Sequence, residues 1–115
     1  MIPKVKAWDK VNKKMIEDVA SIHFRSEMIV TRNLCFYPFK DIELLQSTGL
    51  LDKNGKEIFE GDILKYRDEY RVVEMYDGAW VSRTGEKRLI VKMAVLSGAE
   101  IIGNKFENRE RTNLL

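Results

Sequence analysis

Gln46-Ser47-Thr48-Gly49-Leu50-Leu51-Asp52-Lys53-Asn54-Gly55-Lys56-Glu57-Ile58-Phe59-Glu60-Gly61-Asp62-Ile63 places glycine-centred turns between short apolar runs, and its reading decides the fold. The Asn54-Gly55 pair supplies two residues that tolerate positive φ, the strongest short-range signal for a β-hairpin. Its flanks, Leu50-Leu51 and Ile58-Phe59, are apolar strand material. Glu60-Gly61-Asp62 then turns the chain into Ile63-Leu64-Lys65-Tyr66. Further on, residues 70–76, the Asp77-Gly78 turn and Ala79-Trp80-Val81-Ser82-Arg83 continue a meander of short strands, and Ile101-Ile102 before Gly103-Asn104 reads as a closing strand. Short, evenly spaced strands joined by tight turns predict a small, strongly bent β-barrel or roll of the SH3-like kind. For residues 88–96 helix and strand carry similar weight.

On the other side of the central stretch, Val5 alternates with Lys4 and Lys6, and the polar residues 9–14 follow, which predicts a first hairpin. Ser21-Ile22-His23-Phe24-Arg25 alternates too, with Ile22 and Phe24 expected inward and His23 outward. Met28-Ile29-Val30-Thr31 has the β-branched content of another strand. Asp41-Ile42-Glu43-Leu44-Leu45-Gln46 is too short and uncapped to separate helix from strand. The expected fold class is therefore mainly β: an N-terminal β-hairpin region over residues 1–46, a C-terminal SH3-like β-barrel or roll over 47–108, and a flexible tail over 109–115, all within one compact unit.

The chain has 115 residues, of which 44% are hydrophobic and 33% charged, enough apolar material for a core and too much for disorder. No apolar run approaches the roughly 20 residues that span a bilayer. Charges at Lys4, Lys6, Asp9 and Lys10 interrupt the N-terminal region where an export signal needs an apolar stretch. Cys35 is the only cysteine, so no internal disulfide forms, in keeping with a reducing cytoplasm; it reads as a small, partly buried thiol. Twenty basic residues against 18 acidic ones leave a net charge of +2, without the strong field of a dedicated nucleic-acid binder.

Three segments in order, Lys6-Ala7-Trp8-Asp9-Lys10, the central stretch quoted above, and Ile101-Ile102-Gly103-Asn104-Lys105-Phe106-Glu107-Asn108, make the chain resemble the YopX family of phage and prophage proteins. The resemblance runs from near residue 4 to near residue 108. It implies an N-terminal β-region, a C-terminal SH3-like barrel, a tendency to form homo-oligomers, and no established activity or catalytic residue. Arg109-Glu110 stands where the family often has proline. Because the densest motif coincides with the two central turns, its glycines read as architectural.

Few chemistries fit. Asp52-Lys53-Asn54-Gly55 is no EF-hand loop, which needs glycine sixth and a bidentate glutamate twelfth; here glycine is fourth and Ile63 twelfth. One histidine and one cysteine cannot close a zinc site. Nucleophilic catalysis would need Cys35 or a serine beside His23, which reads as a solvated surface residue. Glu57, Glu60 and Asp62 read as solvated acids around a turn rather than an acid–base pair. No phosphate-cradling loop or dinucleotide fingerprint is present. No catalytic, metal or cofactor site is expected. The function expected is that of a phage-encoded, non-enzymatic interaction or assembly protein of the bacterial cytoplasm, self-associating and engaging a phage or host protein. The alternative is a nucleic-acid-binding accessory that uses Lys65, Arg67, Trp80, Arg83, Lys87 and Arg88 on the barrel, with bases stacked on the aromatic and phosphates tracked by the cations.

Overall fold

The computed structural model describes residues 4–84, 90–92 and 98–107, and within them the regular structure is antiparallel strand apart from one short 3₁₀ turn. Contacts divide it into two units, residues 1–47 and 48–115.

In the first unit β1 (Val5–Asp9) and β2 (Lys14–Ile16) form the expected hairpin. β1 pairs on its other side with β6 (Ile42–Leu51), Ala7 facing Leu44 and Asp9 facing Ile42. That ladder resolves residues 42–46 as strand, preceded by a single 3₁₀ turn at Phe39–Asp41 that takes in Asp41. A three-stranded sheet follows from β3 (Val19–His23), β4 (Met28–Thr31) and β5 (Phe36–Pro38), in the order β3-β4-β5. Ala7, Ile16, Val19, Ile29 and Ile42 form the core cluster, with Ile22 packed against it. Phe24 departs from the expected inward position and is 75% exposed. The strand stops at His23, and Phe24 opens the turn 24–27, so strand alternation no longer sets its direction. Cys35, expected to be partly buried, is exposed.

In the second unit the end of β6 pairs with β7 (Glu57–Phe59), and β8 (Asp62–Tyr66), β9 (Glu69–Tyr76), β10 (Ala79–Arg83), β11 (Ile90–Lys92) and β12 (Glu100–Asn104) make a curled five-stranded sheet ordered β11-β10-β9-β8-β12. Residues 90–92 of the 88–96 stretch are thus strand; the rest of it, and the tail at 109–115, lie outside the described residues. Ile58, Leu64, Val73 and Ala99 form the core cluster, flanked by Tyr66, Trp80 and Ile101.

Candidate binding surfaces

The conspicuous central stretch turns out to hold the second unit together. The hairpin between β6 and β7 closes with Asp52 N–H donating to the Lys56 carbonyl at 2.8 Å and Gly55 N–H to the Asp52 carbonyl at 3.0 Å. Only Gly55, not Asn54, takes a positive φ (82°), the pattern of a three-residue loop ending in a left-handed glycine rather than a two-residue turn. Asp52 is buried. Its Oδ1 accepts from the Asn54 and Lys56 N–H groups at 2.8 and 2.9 Å, and its Oδ2 from Ile101 N–H on β12 at 3.1 Å. Lys53 N–H adds a bond to the Ala99 carbonyl, so the turn is fastened to the last strand.

Gly61 plays the second part. Its N–H donates to the Val73 carbonyl and its carbonyl accepts from Lys105 N–H, while Phe106 lies over the place where a side chain would begin. Asn104 Oδ1 caps the following turn by accepting from Phe106 and Glu107 N–H. In the first unit Asp9 does what Asp52 does here: Val11 N–H, Asn12 N–H and Asn12 Nδ2 converge on its buried carboxylate.

Burial alone would raise the pKa of both carboxyls, but these donors outweigh it and hold Asp9 and Asp52 below the ordinary carboxylate value. A pKa lower in the folded than in the unfolded state stabilises the fold above the unfolded value, near 3.9 for Asp, and that contribution disappears as pH falls through the folded value. The urea midpoint is therefore expected to fall below about pH 4. Asp52→Asn should weaken that dependence, checked by urea titrations between neutral and strongly acid pH.

Of the described residues expected to make a nucleic-acid face, Trp80 lies on the side of the sheet opposite to the one that Lys65 and Arg83 share. Directly paired residues lie on the same side of a sheet and alternate residues return to it. Arg83 pairs with Val72 and Val72 with Ile63, which puts Arg83 on the side of Lys65. Trp80 pairs with Met75, two residues from Val73, and so takes the opposite side, half-buried against the core cluster. Arg83 Nε is engaged by Glu74 Oε1 at 3.2 Å. Lys87 and Arg88 lie outside the described residues.

Lys65 and Arg67 do come together, at a hollow of about 290 Å³ lined also by Lys53, Asp68, Gly98 and Glu100. Reading by segment missed Lys53 and Glu100. The pair becomes visible only through the long-range fastening of the turn to β12, which sets Lys53 Nζ 2.9 Å from Glu100 Oε2.

Arg71 was also missed, though a two-residue count from inward Val73 points it inward. Its guanidinium is buried, with Nη2 2.8 Å from Glu69 Oε2 and Nη1 3.4 Å from Ser82 Oγ, while Nε has no partner among the described residues.

Ser21 Oγ lies 2.8 Å from His23 Nε2 on β3, as i and i+2 side chains on one face of a strand can. A nucleophile–base pair also needs a group orienting the second ring nitrogen, and none is present among the described residues. Nor, among them, do three or more His, Cys, Asp or Glu side chains gather as a metal site, and no helix is long and apolar enough to cross a membrane.

The last surface is an edge. In the order β3-β4-β5, β5 pairs among the described residues only with β4, and it belongs to the uncharged run Leu34-Cys35-Phe36-Tyr37-Pro38-Phe39. Leu34 is 73% and Phe36 64% exposed. Thr31 N–H donates to the Cys35 carbonyl and Phe39 N–H to that of Glu27, so the odd-numbered residues of β5 bond inward, and the N–H and C=O of Phe36 point to the open side.

A family model described as "YopX protein" matches residues 4–113. No curated protein matches the chain. Among solved structures, the crystal structure of protein EF1440 from Enterococcus faecalis is similar over 100% of this chain and 99% of that one, with 30% sequence identity and a TM-score of 0.74.

Proposed function

The chain belongs to the YopX family, and from that premise we propose that it is a phage-encoded, non-enzymatic interaction and assembly protein of the bacterial cytoplasm, self-associating through the open edge of its three-stranded sheet. The observation that carries this reading is Phe36: a mostly exposed aromatic on an edge strand, flanked by exposed Leu34 and Cys35, with its backbone donor and acceptor unused by β4. Soluble proteins usually protect such edges with charge, proline or a bulge, and here only Pro38 does so. Two copies related by a two-fold axis can lay their β5 strands antiparallel, each Phe36 N–H donating to the partner's Phe36 carbonyl, an arrangement in which one patch is its own complement. A phage or host protein would engage the remaining surface.

Light scattering across a concentration series tests this. An oligomer is expected at tens of micromolar, reduced to monomer by Phe36→Glu without loss of thermal stability, since the side chain is exposed. Cys35 adds a second readout: a short bismaleimide should cross-link copies of the wild type and not of the variant. A clean monomer at tens of micromolar would overturn the reading.

Among the described residues, nucleic-acid binding keeps Lys65 and Arg67 in its favour, because Trp80 is turned to the core and Arg83 is engaged by Glu74. The SH3-like character implied by the family is supported by the curled five-stranded sheet of the second unit.

A further inference from the structure

The turn from β8 to β9 consists of Arg67 and Asp68, both with positive φ, 48° and 65°. A two-residue hairpin with both central residues left-handed favours Asn or Asp followed by Gly. The next hairpin of the same sheet, with Asp77 and Gly78 at φ 51° and 78°, meets the same geometry in that way. Arginine has no such tolerance, and the left-handed region costs an ordinary side chain stability. The turn thus places a long cation where a short residue would fold better, and the hollow beside it shows what the cation faces.

Lys53, Lys65 and Arg67 line that hollow against Asp68 and Glu100, three positive groups to two negative. Glu100 is already taken by Lys53 at 2.9 Å. Lys65, directly opposite Glu100 in the ladder, forms no ion pair among the described residues, and neither does Arg67. The Arg67 guanidinium lies 5.2 Å from the centre of the Tyr66 ring, a cation–π contact that braces it while leaving its N–H fork free to chelate an oxyanion. The volume, about 290 Å³, falls at the small end of ligand sites and suits a compact anion.

We propose that this hollow is a phosphate-binding site, with Lys65 and Arg67 as the ligating cations and Lys53 held at its rim by Glu100. It lies wholly within residues 48–115, so it stands or falls apart from assembly at β5.

The test is a titration of ¹⁵N-labelled protein with inorganic phosphate against sodium chloride of matched ionic strength. Saturable shifts of the amides of residues 65–68 and 98–100 at millimolar phosphate, absent with chloride, are expected. Lys65→Met and Arg67→Asn should each weaken binding by at least about fivefold, as loss of a charge-assisted bond does. Arg67→Asn should also raise the thermal midpoint by a few degrees, since asparagine accepts the left-handed turn; a residue kept for the turn alone would show neither the gain in stability nor the loss of affinity.

Glycerol phosphate and an oligothymidylate lacking terminal phosphate separate the sources of the anion. Binding of the first alone assigns phosphomonoesters, and binding of the second assigns a nucleic-acid backbone. No saturable shift beyond the chloride control, or full affinity retained in both variants, would overturn the site.

Discussion

Asp52→Ala is expected to lower the stability of the protein by about 3 kcal/mol, because one buried carboxylate holds three backbone donors and each buried N–H left without a partner costs on the order of 1 kcal/mol. Two of the donors, Asn54 and Lys56, belong to the turn itself. The third, Ile101, is 49 positions away on β12. The loss should therefore appear in two places: reduced hydrogen-exchange protection across the hairpin at 52–56, and earlier opening of β12 from β8. Asp52→Asn supplies the control. An amide offers one acceptor oxygen where the carboxylate offers two, so it can serve the turn or the strand but not both, and an intermediate loss is expected. Urea unfolding of the two variants checks the order, and a loss under about 1 kcal/mol for Asp52→Ala would show that water takes over the donors.

Gly61→Ala should be as damaging for a different reason. At φ +86° an added Cβ is strained whatever surrounds it, and here it would also lie 2.8 Å from Phe106 Cε2. Left-handed backbone costs about 1–2 kcal/mol for an L-residue, and displacing a packed ring adds about 1–3 kcal/mol, so a total near 3 kcal/mol is expected. The two parts can be separated. Phe106→Leu in the Gly61→Ala background removes the obstacle but not the strain, and should restore part of the stability. If the double variant is no more stable than Gly61→Ala, the ring is not what the methyl group meets.

These two residues also show which parts of the fold were legible in the sequence. Glycine at a tight turn declares itself through its missing side chain, so the turns at 55, 61 and 78 could be read locally, and with them the meander that makes the protein mainly β. Asp52 could be read only as part of a turn. Its bond to Ile101 depends on how a strand 49 positions away is brought back, which no local pattern carries.

The misplacement of Phe24 has the same origin, since alternation predicts direction only while a strand lasts, and where a strand ends is the weakest part of such a reading. The stretch 41–46 could not be settled as helix or strand because the extended state of residues 42–46 is imposed by pairing with β1. For the binding surfaces, basic residues were easy to see but their grouping was not. Trp80 and Arg83 are three residues apart, an odd interval that sends them to opposite sides of β10. Lys53 joins Lys65 and Arg67 only through the fastening of its turn to β12.

The strand order of the second unit bears on how the protein is made. β8 sits between β9 and β12, yet β9 follows it after a two-residue turn whereas β12 comes only at residues 100–104. During synthesis, at about 5–20 residues per second, β8 and β9 can pair while the other side of β8 waits for β12 to leave the ribosome. Throughout that interval Ile63 and Leu64, both fully buried in the finished protein, belong to a strand with one side open. A ribosome stalled shortly before β12 would hold a chain with a ready template for misplaced pairing, and that is where dependence on chaperones should be greatest.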